Sequence, residues 1–267
     1  MEINLRKLIN DKNPRLLKVI PRFVISYLER IVHLEEVNLF LKEHKNEDGL
    51  SFVNSVLEKF EINIEYKGLK NIPPKGRYIF VSNHPLGGLD GLALMDCIGK
   101  VRPDIIFPVN DILMSIPNVR PLFIPINKHG SNAQNIKIIE DTFAGDRTIL
   151  YFPAGLCSRK SSSGIKDLEW KKTFVAKARK YKRDIIPIHV EAKNSNFFYN
   201  LANIRKFFGI KANIEMLYLV DEMFKQKNKK MVITIGESIK YTFFDRSVQN
   251  DREWAKQMKN IVYNLGK

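Results

Sequence analysis

Cysteine is nearly absent from this 267-residue chain: Cys97 and Cys157 stand alone, with no CxxC and no His-rich tract beside them. That supports neither a disulfide framework nor a zinc site, so a reduced, cytosolic setting is the default. Long hydrophobic runs are missing too. No stretch approaches the ~18 uninterrupted apolar residues of a spanning helix, and the opening MEINLRKLINDKNPR lacks the apolar core of a signal peptide. Any membrane contact is therefore expected to be peripheral. Acidic residues are outnumbered, 29 Asp and Glu against 44 Lys and Arg, for a formal charge of +15. Such an excess predicts an anionic partner: nucleic acid, an anionic membrane surface or an acidic carrier protein. There is no internal repeat and no long low-complexity segment.

What remains is an ordinary globular composition, 44% hydrophobic and 27% charged, in a chain long enough to bury a substantial core. Residues 1–60 read as helical throughout. Apolar residues at 16, 20, 23, 24, 27, 28 and 31 form a helical stripe that Pro21 should kink or split. Residues 1–32 carry seven Lys or Arg against three Asp or Glu. Two readings stand for this segment: a basic amphipathic helix lying in a lipid interface, or a helix packed on the main domain with a solvated basic face. Helical patterns continue over Glu35 to Lys45 and Leu50 to Phe60.

From residue 61 strands alternate with helices. Strands are expected at Ile62 to Tyr66, Tyr78 to Val81, Asp104 to Val109, Leu122 to Ile126, Thr148 to Phe152, Ile185 to Val190 and Met231 to Ile235. Helices are expected at Gly88 to Ile98, Ala133 to Phe143, Trp170 to Lys182, Phe197 to Phe208, Ile214 to Phe224 and Asp251 to Leu265. The fold class is α/β, a mostly parallel or mixed sheet covered by helices on both faces, with residues 1–60 as an amino-terminal helical extension and 61–267 as the α/β domain. Sites in such sheets gather at the carboxyl ends of the strands.

One such end is YIFVSNHPLGGLDG, Tyr78 to Gly91. An apolar strand delivers His84, Pro85 and the pair Gly87-Gly88 force a turn, and Asp90 falls on the first turn of the next helix. That spacing can fold the carboxylate back onto the imidazole, the arrangement that fixes the tautomer of a general base. A second strand end, Phe152-Pro153-Ala154-Gly155, opens into a Ser-rich basic loop, Ser158 to Gly164.

Taken in order, NHPLGGLDG, RPLFIPINK (Arg120 to Lys128), FPAGLCSRK (Phe152 to Lys160) and IIPIHV (Ile185 to Val190) give the chain a resemblance to the glycerolipid acyltransferases of the lysophosphatidic-acid acyltransferase type. The resemblance implies transfer of a fatty acyl group from an acyl-carrier-protein or coenzyme A thioester to the hydroxyl of a lyso-lipid, at the inner face of the cell membrane. It implies no cofactor beyond that co-substrate and no metal. His84 is then the general base and Asp90 its orienting partner. The substrate-binding positions it implies are Asn83, Gly87, Gly88, Asn127, Lys128, Phe152, Pro153, Gly155, Ser158 and Arg159. Backbone N–H groups of the glycine loops would face the developing oxyanion.

Three departures from that family's usual pattern carry information. Five residues separate His84 from Asp90 where four are usual, so the Gly87-Gly88 turn must absorb one. The usual FPEGTRS reads FPAGLCSR, and Asn127-Lys128 stands where an arginine usually holds the acceptor's phosphate. This variant, with DLEWKKTF following, resembles the bacterial branch in which a lyso-glycine or lyso-ornithine lipid receives its ester-linked chain; a 1-acylglycerol-3-phosphate acyltransferase is the competing expectation. A different class, a thioesterase or hydrolase with Cys157 as nucleophile beside His189 or His129, has less behind it, because a lone cysteine in a basic loop is more often packed than reactive. The basic run WKKTFVAKARKYKR sets Trp170, Phe174, Ala178 and Tyr181 at helical spacing, which predicts a core-facing stripe rather than a nucleic-acid surface. A non-catalytic basic membrane-binding module is the remaining contrast.

Overall fold

The computed structural model describes residues 2–109, 111–125, 132–162 and 164–267. Chain order begins with α1 (Leu5–Lys12), α2 (Pro14–Val19), α3 (Arg22–Ile31), α4 (Leu34–Glu43) and α5 (Gly49–Lys59), then β1 (Asn63–Lys67), β2 (Tyr78–Ser82) and α6 (Leu89–Gly99). It continues with β3 (Phe107–Val109), β4 (Phe123–Pro125), α7 (Asn132–Ala144), β5 (Ile149–Tyr151), β6 (Arg159–Ser161), β7 (Gly164–Lys166) and α8 (Thr173–Lys180). It ends with β8 (Asp184–Glu191), α9 (Asn196–Phe207), α10 (Leu219–Phe224), β9 (Lys230–Ile235) and α11 (Asp251–Asn264).

The chain forms two compact units, 1–47 with 194–226, and 48–193 with 227–267. The first is helical. Pro21 divides α2 from α3 and stands as the N-cap of α3, because its ring fixes φ for the cap but cannot continue a helix. His33 stacks on Phe224 with ring centroids 3.9 Å apart and accepts or donates a 3.2 Å bond with Asp221, which ties the α3–α4 corner to α10.

The second unit is built on a five-stranded sheet in the order β1-β9-β8-β2-β5. β2 runs parallel to both β8 and β5, β1 runs parallel to β9, and the β8–β9 pair alone is antiparallel among these neighbours. Side chains alternate across the sheet. Ile79, Val81, Ile149 and Ile185 share one core with Phe174, Val175 and Ala178 of α8 and Trp254, Met258 and Val262 of α11. Phe80, Leu150, Ile186 and Ile188 are equally buried on the opposite face. The mixed, helix-covered sheet is thus the expected one, and Trp170, Phe174 and Ala178 are buried as their spacing predicts.

Several elements differ from the sequence expectation for local reasons. The strand expected from Asp104 shortens to β3 because Asp104 turns its carboxylate to Arg102 and to the Thr148 N–H. β4 pairs with β3 in a separate two-stranded sheet, where Pro125 needs no central ladder partner. The loop from Ser158 contains the antiparallel hairpin β6–β7. Helix α8 starts three residues after Trp170, whose indole is engaged by Asp167, and the stretch from Ile214 opens as a 3-10 turn before α10.

Candidate functional site

β2, β8 and β5 are mutually parallel, so Asn83-His84, Glu191 and Phe152 emerge at one edge of the sheet. At the end of β2 the chain turns through Pro85, and Gly87 adopts φ +87°, a left-handed conformation that strains any residue with a Cβ. The turn delivers Asp90 into the first turn of α6, where the exposed N–H groups of a helix start favour a carboxylate. Oδ2 of Asp90 lies 2.9 Å from Nδ1 of His84 and accepts the Leu86 N–H at 2.9 Å, while Oδ1 accepts the N–H groups of Gly88 at 3.1 Å and Gly91 at 3.0 Å.

Asp90 is wholly buried. Burial alone would raise its pKa, but the charge and hydrogen bond of His84 and the N–H groups of Leu86 and Gly91 outweigh it and hold the carboxyl below its ordinary value. An ionised Asp90 accepts, so the imidazole carries its proton on Nδ1 and presents its lone pair on Nε2. The extra residue between His84 and Asp90 is therefore absorbed in the turn without loss of contact. The His84 side chain is 15% exposed. Its ring stacks on Phe152 with centroids 4.0 Å apart and planes 17° from parallel, and Phe107 meets Phe152 edge-on at 5.1 Å.

The other expected positions fall around this pair. Asn83 is buried, donating from Nδ2 to the Val190 carbonyl at 2.8 Å and accepting the Val190 N–H on Oδ1 at 2.7 Å. The carbonyl of His84 accepts the Ser158 N–H at 2.7 Å. Pro153 accepts the Lys171 N–H at 3.1 Å, and Gly155, at φ +66°, leaves room where a Cβ would lie 3.3 Å from the Lys171 ammonium. Ser158 is buried and donates its hydroxyl to Asp167 at 2.6 Å. Arg159 is buried too, giving one guanidinium N–H to the Cys157 carbonyl at 2.8 Å and to its Sγ at 3.0 Å. The N–H groups of Gly88 and Gly155 serve Asp90 and the Phe152 carbonyl, so neither is an uncommitted oxyanion donor. Asn127, Lys128 and His129 lie outside the described residues.

Cys157 is fully buried, and burial pushes its thiol up to about 11 against the weaker opposing pull of Arg159. It stays a thiol at neutral pH, which is the wrong state for a nucleophile. His189 packs edge-on to Tyr263 at 5.6 Å, and burial lowers its pKa.

Asp167 is the participant the sequence left unassigned. Its Oδ1 accepts the His84 N–H at 3.2 Å as well as the Ser158 hydroxyl, its Oδ2 accepts the Trp170 indole N–H at 2.9 Å, and its own N–H donates to the Tyr263 hydroxyl at 2.7 Å. One carboxylate thereby fixes the His84 backbone to the loop after β5. The Asp-x-x-Trp spacing in DLEW was the available signal. Among the described residues no group of three or more His, Cys, Asp or Glu gathers as metal ligands would.

The family described as Acyltransferase matches residues 7–266. A lyso-glycine lipid O-acyltransferase of Phocaeicola vulgatus is 49% identical over 265 residues, covering 98% of this chain and 95% of the relative. One of the same name from Bacteroides thetaiotaomicron is 46% identical, covering 98% and 97%. Among solved structures, the 1-acyl-sn-glycerophosphate (LPA) acyltransferase PlsC of Thermotoga maritima superimposes with a TM-score of 0.51 at 17% identity, covering 98% of each chain, a likeness of fold.

Proposed function

The chain belongs to the acyltransferase family and is an acyltransferase, and from that premise we propose that it moves a fatty acyl group from a thioester to the hydroxyl of a lyso-glycine lipid. The observation that carries the acceptor is the near full-length similarity to two relatives that bear that activity in their names. Loss of the usual arginines from the second and third blocks agrees with it, since an amino-acid head group offers no phosphate to a bidentate fork.

In this reading His84 Nε2 takes the proton of the acceptor hydroxyl as the oxygen attacks the thioester carbonyl. Asp90 holds the ring in the productive tautomer and stabilises the imidazolium that forms. Phe152 sets the plane of the imidazole through its stack and keeps that side dry. Gly87, Gly88, Phe152, Pro153 and Gly155, together with Asn127 and Lys128, are the proposed lining for the substrates; Asn83, Ser158 and Arg159 shape it from behind. The donor is an acyl-carrier-protein or coenzyme A thioester. A chain of net charge +15 in which no helix among the described residues can cross a membrane fits peripheral work at an anionic cytoplasmic membrane surface.

The test is a direct competition. Purified protein is given acyl-carrier-protein and coenzyme A thioesters with lyso-glycine lipid or lysophosphatidic acid. Acylation of the lyso-glycine lipid with either donor is the expected result. Robust acylation of lysophosphatidic acid with none of the lyso-glycine lipid overturns the proposal.

A further inference from the structure

The helical unit 1–47 with 194–226 leaves an apolar strip uncovered across two helices far apart in sequence. On α9, Phe197, Leu201, Ile204 and Phe208 recur about one turn apart and so share a face. Phe208, just past the helix, is 70% exposed and its neighbour Phe207 is 85% exposed. On α3, Phe23 (74% exposed) and Tyr27 share another face, with exposed Val19 one turn earlier. The two faces join. The hydroxyls of Tyr27 and Tyr218 are 2.6 Å apart, and the Tyr218 ring meets Phe197 edge-on at 5.0 Å.

The aromatic tip is held rigidly. Gly209 turns the chain at φ +67°, its N–H donating to the Lys206 carbonyl at 3.0 Å and that of Ile210 to the Arg205 carbonyl at 3.0 Å. The buried Arg205 grips Glu215 through Nε at 2.7 Å and a second N–H at 3.2 Å. Phe207 and Phe208 are therefore presented to solvent by a braced turn, edge to face with centroids 5.3 Å apart. Stability gives no reason to hold two phenylalanines in water, and exposed aromatic clusters of this kind mark docking surfaces.

The surrounding charge selects the partner. Asn13 to Leu28 contains no Asp or Glu but does contain Arg15, Lys18 and Arg22; Ala192 to Ile214 contains none either, with Lys193, Lys206 and Lys211 beside the buried Arg205. At the Tyr218 end, Asp221 and Glu222 are paired with Lys225 at 2.6 and 3.0 Å. A second copy of the chain set symmetrically on this strip would bring cations onto cations. An anionic bilayer meets the same strip with the opposite sign: phenylalanines enter the acyl boundary, tyrosine hydroxyls lie at head-group level and the Lys and Arg side chains reach the head groups.

We infer that the joined α3–α9 face docks the protein on an anionic lipid bilayer, with Phe207 and Phe208 as the inserted tip. The inference rests on the proposed lipid acceptor only for its purpose, since the face itself is read from exposure and charge. Wild-type protein, a Phe207→Ser/Phe208→Ser variant and a Lys206→Glu/Lys211→Glu variant are sedimented with vesicles of phosphatidylglycerol and phosphatidylethanolamine, or of phosphatidylcholine alone. Turnover of a short-chain lyso-glycine lipid dispersed below its micellar limit is measured in parallel. The wild type should pellet with the anionic vesicles and be released by salt. Both variants should bind about tenfold more weakly or worse, with unchanged turnover of the dispersed substrate. No turnover by any protein, with the vesicle difference intact, supports the docking face and counts against the acceptor. Equal pelleting of wild type and variants overturns the docking face, as does vesicle binding that persists while a dimer is lost in sedimentation velocity.

Discussion

Asn83 and Val190 hold each other by two hydrogen bonds, the amide of one side chain replacing the main-chain rungs that β2 and β8 share as far as Ser82. Asn83→Ala leaves the Val190 N–H and carbonyl unpaired in the interior, which costs about 2–4 kcal/mol for two such groups. A fall in thermal midpoint is expected, with kcat falling through the displaced His84. A midpoint equal to that of the wild type would show that the pair carries no load.

His84→Ala and Asp90→Asn address the proposed base directly. Each should lower kcat by about 100- to 10,000-fold while leaving KM nearly unchanged, the range in which positioned proton transfer contributes. Steady-state kinetics with a saturating thioester donor are the measurement, and a wild-type kcat in His84→Ala would remove His84 from the chemistry.

Cys157→Ser should turn over at close to the wild-type rate. The thiol is buried and held protonated, so its loss changes packing around Arg159 and not the reaction. Intact-protein mass spectrometry after a single turnover checks this. An acyl adduct on Cys157, together with inactivity of the serine variant, reverses the conclusion.

Charge steering predicts a salt effect. With an acidic acyl carrier protein as donor, kcat/KM should fall as ionic strength rises from low salt past the ~10 Å screening length of 0.1 M. A coenzyme A donor assayed alongside should be affected less, and salt-independent kinetics with the carrier protein would count against docking through this chain's positive surface.

Asp251, the first residue of α11, sits 2.8 Å from Arg179 and 2.7 Å from Arg246. Its hydrogen bond to Arg246, with Arg179 adding to it against the opposing effect of burial, lowers its pKa from 3.8 to about 2. A depressed carboxylate contributes stability that is present above the unfolded-state pKa and is lost as pH falls through the folded one. Asp251→Asn should therefore be less stable than wild type at pH 7 by about 1–2 kcal/mol. The two urea midpoints should converge between pH 4 and pH 2, the window set by those two values.

The sheet was legible because its strands are short apolar runs set between helical periodicities, and β2 announces its own end with Asn-His-Pro. The His84–Asp90 contact was legible as well, since a proline followed after one residue by two glycines leaves few other ways to turn. Asp167 was not. Apart from Trp170, which the Asp-x-x-Trp spacing sets nearby, its partners, the His84 backbone, Ser158 and Tyr263, come from other stretches of chain, and no local pattern records a meeting made by tertiary packing. Ser158 and Arg159 were expected at the substrate because the third block of the resemblance carries them, yet both are buried, engaged with Asp167 and Cys157. The α3–α9 strip stayed hidden for the same reason, as an apolar residue on a helix declares a face but not whether that face is covered.

The four donors gathered on Asp90 have a consequence for where a proton can go. A carboxylate has about four lone-pair directions, and here each is occupied. Each of these donors favours the ionised carboxylate, so in the proposed reaction the Nδ1 proton stays on the ring and the positive charge stays on the imidazolium. In that proposed reaction the proton gained at Nε2 is returned to the sulfur of the departing thiolate, so each turnover would end with the histidine neutral and ready for the next acceptor.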